Sequence, residues 1–351
     1  MSGNGRGRVT ISDIADRAGV SKGAVSYALN GRPGVSDATR ERVLAIAREL
    51  GWYPNRAARA LSGAGAQACG FALARPARII ALEPFFMEFI AGVESELALR
   101  SVALTFQLVE DVGQEIEVYR RWFGERRVDG VLVMDLRRED PRIAALQALG
   151  LPAVVVGGPL PGTPLPSVWH DERTTMVETV RYLAALGHDR VGHVTGPREF
   201  AHTAMRCAAF DDAVRELGLW AVVAETDYTP EAGARATRRL LSSPEPPTAL
   251  VFDSDLLAVA GLGAVQQMGL SVPDDVSLVA WDDSLCCQVV HPPLTAVTRD
   301  IVEYGGAAGR QLLAAIDGQA PGDCETPRGE LTVRGSTQRR ATAIPRAAVD
   351  T

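Results

Sequence analysis

From Cys69 onward, short apolar runs alternate with longer segments of helical periodicity. The runs are "CGFALA" from Cys69, "VALTFQLV" from Val102, "GVLVM" from Gly130, "PAVVVG" from Pro152, "RVGHVT" from Arg190, "AVVAE" from Ala221, "TALVF" from Thr248 and "VSLVAW" from Val276. Between them lie patterns such as "FFMEFIAGVESELALR", "ERTTMVETVRYLAALG", "AAFDDAVRELG" and "LLAVAGLGAVQQMG". This alternation predicts parallel, doubly wound α/β sheets. Two units of similar size predict two lobes with a cleft between them, where ligands lie at the C-terminal ends of strands.

Ahead of this body stands a stretch of different character. Up to Gly63 the chain carries ten Lys+Arg against five Asp+Glu, and beyond it 26 against 38, so a head of +5 precedes a body of -12, together the -7 of the whole. Such a split suits a small polyanion-binding module on an acidic globular body. The 351 residues and 46% hydrophobic content suffice for two domains plus such a module. The start "MSGNGRGRVT" offers no apolar core for a signal peptide, and no uncharged run approaches the roughly 18 residues of a membrane span, so a cytoplasmic location is expected. Five cysteines with no C-x-x-C predict free thiols in a reducing compartment, the vicinal Cys286 and Cys287 included.

The head parses into short helices with clear punctuation. Thr10, with Asp13 three residues later, starts the first; Ile14, Ala15 and Ala18 give it an apolar face and Gly19 stops it. Ser21 caps a second over roughly residues 22–29, ended by Asn30-Gly31. Ser36 caps a third, "DATRERVLAIAREL", with Val43, Ile46, Ala47 and Leu50 on one face. A link of only "AGVS" between the first two is a helix-turn-helix signature. In that motif the second helix enters the major groove and its first residues reach base edges. Val25 and Leu29 face inward, leaving Lys22, Gly23, Ser26 and Tyr27 for DNA. Lys22 suits guanine O6 or N7, Tyr27 a base edge, thymine methyl or phosphate, and Gly23 close approach to the duplex.

"YPNRAARALSG" follows, with Pro54-Asn55 at the start of a segment too short to be a stable helix alone. Arg56 and Arg59 suit phosphates, and Leu61 suits a wedge in a minor-groove base step. A flexible linker is the alternative, which "SGAGAQA" downstream resembles.

The run from Val9 to Gly63 closely resembles the DNA-binding head of lac repressor (LacI/GalR) family transcription regulators, through "DIA..AGVS", "VS..LN", "VS..TR..V" and "LGW.PN..AR.L". That resemblance implies that Lys22, Gly23 and Tyr27 hold base-reading positions and Leu61 the minor-groove leucine, and it counts Thr10, Ser21, Asn30 and Asn55 among the DNA-binding residues. The body resembles the family's effector domain, of periplasmic sugar-binding protein fold, in "PFFMEFIAGVE", "VDGVLV", "LGHDRVGHVTG", "MRCAAFDDAV", "VPDDVSLVAWDD", "PPLTAV" and "LTVRGST". The implied organisation is an all-α helix-turn-helix head over 1–53, a hinge helix over 54–63, a linker over 64–68 and a two-lobed periplasmic-binding-protein-like α/β domain over 69–345. Its N-lobe would take about 69–168 and 297–328, its C-lobe about 169–296 and 329–345.

Sugar sites need side chains that fork hydrogen bonds onto vicinal hydroxyls and aromatic faces that cover C–H surfaces. Arg206, Asp282 and Asp255 follow strands and offer the first; for Asp255 a helix N-cap is the alternative, and for Arg206 and Asp282 a structural salt bridge. The resemblance places Arg206, Asp282 and Ser254 at effector contacts, Asp171 near one, and Phe85, Phe86 and Trp281 along the pocket. His188, after Gly187, is expected to satisfy helix-end carbonyls. His170, His193, His202 and His291 lack H-x-x-H or H-E-x-x-H spacing, so no metal site is expected; nor does any G-x-S-x-G elbow, P-loop or G-x-G-x-x-G appear, so neither catalysis nor a cofactor is expected.

These features predict a repressor that binds a pseudo-palindromic operator as a homodimer and responds to a small ligand, a sugar, in the cleft. The tail "QRRATAIPRAAVDT" has no leucine heptads, so no tetramer-forming coiled coil is expected. A sugar-processing enzyme with a DNA-binding appendage would need an acid-base carboxylate pair, for which Asp171 or Asp255 with Asp282 are the candidates. A constitutive architectural DNA binder would have a vestigial cleft.

Overall fold

The structure, a computed structural model, describes residues 9–52, 65–159 and 162–340. Two compact units divide at Ala66/Gln67.

The head contains α1 (Ile11–Ala18), α2 (Lys22–Leu29) and α3 (Asp37–Glu49). The caps are those the sequence announces. Thr10 and Asp13 form a reciprocal capping box, Gly19 closes α1 in the left-handed conformation (φ 66°), and Ser21 and Ser36 accept from Ala24 N and Thr39 N. Helices this short are unstable alone, so their order comes from the apolar seam they share: Ile14, Ala15 and Ala18 of α1, Val25 and Ala28 of α2, and Val43 and Ala47 of α3. Leu29, the last residue of α2, packs on the rim of this core, and Ala28 takes the second fully buried position.

The body opens with β1 (Ala68–Ala74), α4 (Ala77–Leu82), α5 (Pro84–Leu99), β2 (Ala103–Val109), α6 (Val112–Gly124), β3 (Gly130–Val133), α7 (Pro141–Leu149), β4 (Ala153–Val156) and β5 (Ser167–Trp169). It continues with α8 (Glu172–Ala185), β6 (Arg190–Thr195), α9 (Ala201–Leu217), β7 (Trp220–Glu225), α10 (Pro230–Leu241), β8 (Ala249–Phe252), α11 (Asp255–Gln267), β9 (Ser277–Trp281), α12 (Leu285–Val289) and β10 (Thr295–Thr298). Last come α13 (Ile301–Ile316), β11 (Cys324–Glu325) and β12 (Glu330–Thr332).

Two six-stranded sheets result, in the orders β11-β5-β4-β3-β1-β2 and β12-β10-β9-β8-β6-β7. All pairings are parallel except β10 with β12. The eight apolar runs became strands; β5, β10, β11 and β12, of two to four residues, are too short to show a pattern of their own. The chain passes between sheets three times, after β5, after β10 and between β11 and β12. Val297 and Thr298 therefore belong to the second sheet, two residues beyond the sequence-derived lobe boundary.

After its second passage the chain is locked back into the first lobe by close helix contact. A Cβ on Gly92 of α5 would stand 1.9 Å from Val302 O, and one on Gly305 of α13 would stand 2.1 Å from Phe89 O. Only glycines allow these backbones to touch. His188 meets a helix-end carbonyl through its backbone, its N–H bonding Leu183 O at the end of α8, while its buried ring pairs Nδ1 with Thr248 Oγ1 at 3.0 Å. All five cysteines are free.

Gly305→Ala is expected to lower the stability of the body by about 1–3 kcal/mol. Gly263→Ala, where an added Cβ meets nothing within 4 Å in α11, is expected to raise it by about 0.5–1 kcal/mol. Urea unfolding of both variants checks the pair.

Candidate functional site

In the head, α2 presents one face outward. Lys22, Gly23 and Tyr27 are exposed and Ser26 is half-buried. Lys22 has neither a hydrogen bond nor an ion pair among the described residues. Around Gly23 there is open space: an added Cβ would meet nothing nearer than Ser21 Oγ at 3.8 Å. Packing therefore gives no reason for a glycine that weakens the helix, whereas close approach of a duplex would. Tyr27, 44% exposed, lies over Gly34. Asn30 turns back onto α2, its Nδ2 donating to Ser26 O at 2.8 Å, and Thr10 and Ser21 serve as caps. Asn55, Arg56, Arg59 and Leu61 lie outside the described residues.

In the body, a chamber with an empty volume of about 660 Å³, counted with its opening, lies between the lobes. Its position follows from topology. Strand order reverses between β1 and β3 in the first sheet and between β6 and β8 in the second, and a crevice opens at the carboxyl ends of such strands. Arg75 follows β1, Asp135 follows β3 and Asp253 follows β8, and all three face the chamber. Asp135, Tyr228 and Asp282 line it with φ of 54°, 64° and 71°. Non-glycine residues held in this region persist only where the surroundings over-determine them, and they gather at ligand sites.

The chamber walls are ionic. Arg206 donates through Nη2 and Nε to Glu172 at 2.5 and 3.1 Å, and through Nη1 to Asp253 O at 3.1 Å. Its guanidinium lies 4.5 Å from the Trp281 ring centroid. Arg299 grips Asp282 with two bonds of 2.5 and 2.9 Å and reaches Glu172 at 3.3 Å. His170 lies between them, its Nε2 against Arg299 and 3.1 Å from Glu172. Burial alone would raise the Glu172 carboxyl; Arg206, His170 and Arg299 hold it well below its usual range. Asp253 takes bonds from His193 Nε2 at 2.8 Å and Thr195 Oγ1 at 2.7 Å. Across the cleft, Arg75 pairs with Asp135 at 2.6 Å while lying 4.4 and 4.9 Å from the rings of Phe200 and Tyr228 in the other lobe.

Of the body residues singled out in the sequence, Phe85, Phe86, Arg206 and Asp282 line this chamber. Arg206 does so from the second turn of α9, whose polar start "AHTAMR" extends the helix before the apolar pattern begins. Both Arg206 and Asp282 are also in salt bridges. Asp171 instead caps α8, accepting from Thr174 N, and Ser254 caps α11, accepting from Leu257 N. Asp255 follows that cap, buried, its carboxyl raised by burial to about 6. Trp281 backs Arg206 and does not reach the lining. Sequence reasoning missed Arg75, Glu83, Asp135, Glu172, Asp253 and Arg299, and set aside His170 and His202, which also line the chamber. A signal existed for two: Asp135 and Asp253 each stand just beyond an apolar run, at a strand's carboxyl end.

A helix-turn-helix in one unit and a two-lobed α/β fold with a chamber at paired switch points in the other are the parts of a DNA-binding regulator. Comparisons with known proteins agree. Residues 10–55 match the family described as bacterial regulatory proteins, lacI family, and residues 180–337 a periplasmic binding protein-like domain. The HTH-type transcriptional regulator AglR of Rhizobium meliloti is 34% identical over 343 residues, 94% of each chain. Among solved structures, the lac repressor dimer bound to operator and the anti-inducer ONPF superposes with a TM-score of 0.83 at 27% identity, over 95% of this chain and 100% of that one. The regulator CelR in complex with cellobiose does so with a TM-score of 0.71 at 29% identity, over 94% and 100%. The chain belongs to the LacI family: it is a DNA-binding transcriptional regulator and not an enzyme.

The His193–Asp253 pair makes stability pH-dependent. Burial alone would lower His193, but Asp253 raises it to about 9; burial would raise Asp253, but His193 and Arg206 bring it to about 2. The His193 contribution is complete below about 6.5, its unfolded value, and is lost as pH rises through about 9; that of Asp253 is complete above about 3.9 and is lost as pH falls through about 2. Thermal unfolding of the body is expected at lower temperature at pH 9.5 than at pH 6, with the alkaline decline flattened in His193→Gln.

Proposed function

We propose that the protein is a repressor that binds a pseudo-palindromic operator as a homodimer, in the cytoplasm, under the control of a sugar held in the interlobe chamber. Supporting this most directly is the outward face of α2, with an unpaired lysine beside a glycine that packing does not require. Lys22, Ser26 and Tyr27 then read bases, Thr10, Ser21, Asn30 and Asn55 add contacts, Arg56 and Arg59 meet phosphates, and Leu61 enters the minor groove. A two-fold dimer sets two such helices one helical turn of DNA apart.

In the chamber, Arg206 and Asp282 present forked donors and acceptors to vicinal hydroxyls, and Phe85 and Phe86 offer apolar faces. Trp281 supports Arg206 from behind; Asp171, Ser254 and Asp255 support the same wall through α8 and α11. A sugar preferring one lobe arrangement shifts operator affinity by a coupling free energy of about 1–3 kcal/mol. The relatives fit this scheme: one is named as a repressor dimer on its operator, another as a complex with cellobiose.

Selection of bound sequences from random duplexes is expected to return a two-fold symmetric site. With 6–10 phosphate contacts, affinity for it falls about 10³–10⁵-fold between 50 and 200 mM salt. Lys22→Ala is expected to cost about 1–3 kcal/mol and relax one base position, and Leu61→Ala to weaken operator binding while leaving sugar affinity unchanged. Calorimetry against a sugar panel, repeated with operator present, tests the coupling. Recovery of no preferred sequence would overturn the proposal.

A further inference from the structure

The chamber lining holds five carboxylates and three guanidiniums, and almost all of this charge is already matched. Arg75 is paired with Asp135, Arg206 with Glu172, Arg299 with Asp282, and Asp253 with His193. The two remaining imidazoles bring no cation. Burial and the nearby Arg206 lower His202 to about 4, and burial with Arg299 lowers His170. Every guanidinium that faces the ligand is thus engaged by a carboxylate of the wall. A phosphate or carboxylate on the ligand would have to share these guanidiniums with the wall carboxylates; at Arg206 and Arg299, whose nitrogens are all bonded, it would compete with an existing buried pair.

One acidic group stands apart. Glu83 occupies the N-cap position of α5, where an acidic side chain ordinarily accepts from the first turn's N–H groups; here it makes no such bond. Its carboxyl lines the chamber beside Phe85 and Phe86, and among the described residues it has neither a hydrogen bond nor an ion pair. Arg75, the cation nearest in charge to it, is committed to Asp135. Burial pushes the Glu83 carboxyl up to about 8 against the pull of Arg75, with Asp255, Asp282 and Asp135 adding to the rise.

We propose that Glu83 is the specificity-determining residue of this chamber: it receives a hydrogen-bond donor of the ligand, hydroxyl or ammonium, and the chamber excludes ligands that carry a phosphate or carboxylate. This rests on the chamber being the effector site. The forgone cap and the closed wall of ion pairs together give the selection its direction. A neutral polyol leaves every pair intact and supplies Glu83 with a partner, whereas an anion must share guanidiniums that already hold wall carboxylates.

Full-length protein incubated with a small-metabolite extract from carbohydrate-grown bacteria, washed and denatured, releases its retained compounds for mass spectrometry. Each is then titrated by calorimetry into wild type, Glu83→Ala and Glu83→Gln. The retained compounds are expected to carry no phosphate or carboxylate, and Glu83→Ala is expected to weaken them about 10- to 100-fold. Glu83→Gln separates the two donors: a hydroxyl ligand keeps most of its affinity on the amide oxygen, and an ammonium ligand loses as much as with Ala. Since Glu83 has no partner to strand, both variants are expected to melt as wild type does. A retained anionic compound, or a neutral one whose affinity is unchanged by Glu83→Ala, overturns the proposal. Retention of nothing at all overturns the effector-site assignment beneath it.

Discussion

Glu172 is the residue on which the body's architecture turns. It begins α8 immediately after the chain's first passage between sheets, is almost fully buried, and engages both Arg206 of the second lobe and Arg299, which lies on the second passage. A carboxylate so placed would be prohibitively desolvated alone. The two guanidiniums it gathers are therefore required by it, and each is required in turn: Arg206 reaches on to the carbonyl of Asp253, Arg299 to the carboxylate of Asp282. The hinge side and the ligand side of the chamber are thus one connected network. The same ion pairs form the chamber wall and brace the segments where the chain crosses between lobes.

Much of this fold was legible in advance because local chemistry and global arrangement agree. Thr10, Ser21 and Ser36 each offer a hydroxyl at the point where a helix must begin, and each is a cap. The apolar runs of the body are nearly continuous because both faces of a parallel sheet are covered; Val131, Leu132 and Val133 are wholly buried, as are Leu250, Val251 and Phe252. Less legible were the elements whose sequence must answer to the chamber instead of to a periodic face. The first turns of α9 carry His202, Thr203 and Arg206 inward, so their polarity hid the helix. β11 has two residues and owes its pairing to neighbours far away in sequence.

The chamber was legible only in part for the same reason. Aromatic and charged residues near strand ends led to Phe85, Phe86, Arg206 and Asp282, but not to the partners that hold their charge. Pairing is a property of three-dimensional proximity: Arg299 and Asp282 are 17 positions apart, Arg75 and Asp135 60, and no spacing rule links them. Asp171, Ser254 and Trp281 stand one layer behind the lining, as two helix caps and a platform for a guanidinium. Residues adjacent in sequence to such positions, Glu172 and Asp253 among them, face the cavity instead.

The glycine contact between α5 and α13 has a mechanical consequence. Backbones that touch at Gly92 and Gly305 have no layer of side chains between them to slide or repack, so these helices and the sheet beneath them move as a single rigid block. Any rotation of one lobe against the other must then be taken up in the few residues of the three connecting segments, after Trp169, after Thr298 and between Glu325 and Glu330. Two of those segments carry His170 and Arg299, so such a rotation bears directly on the contacts these residues make with Glu172.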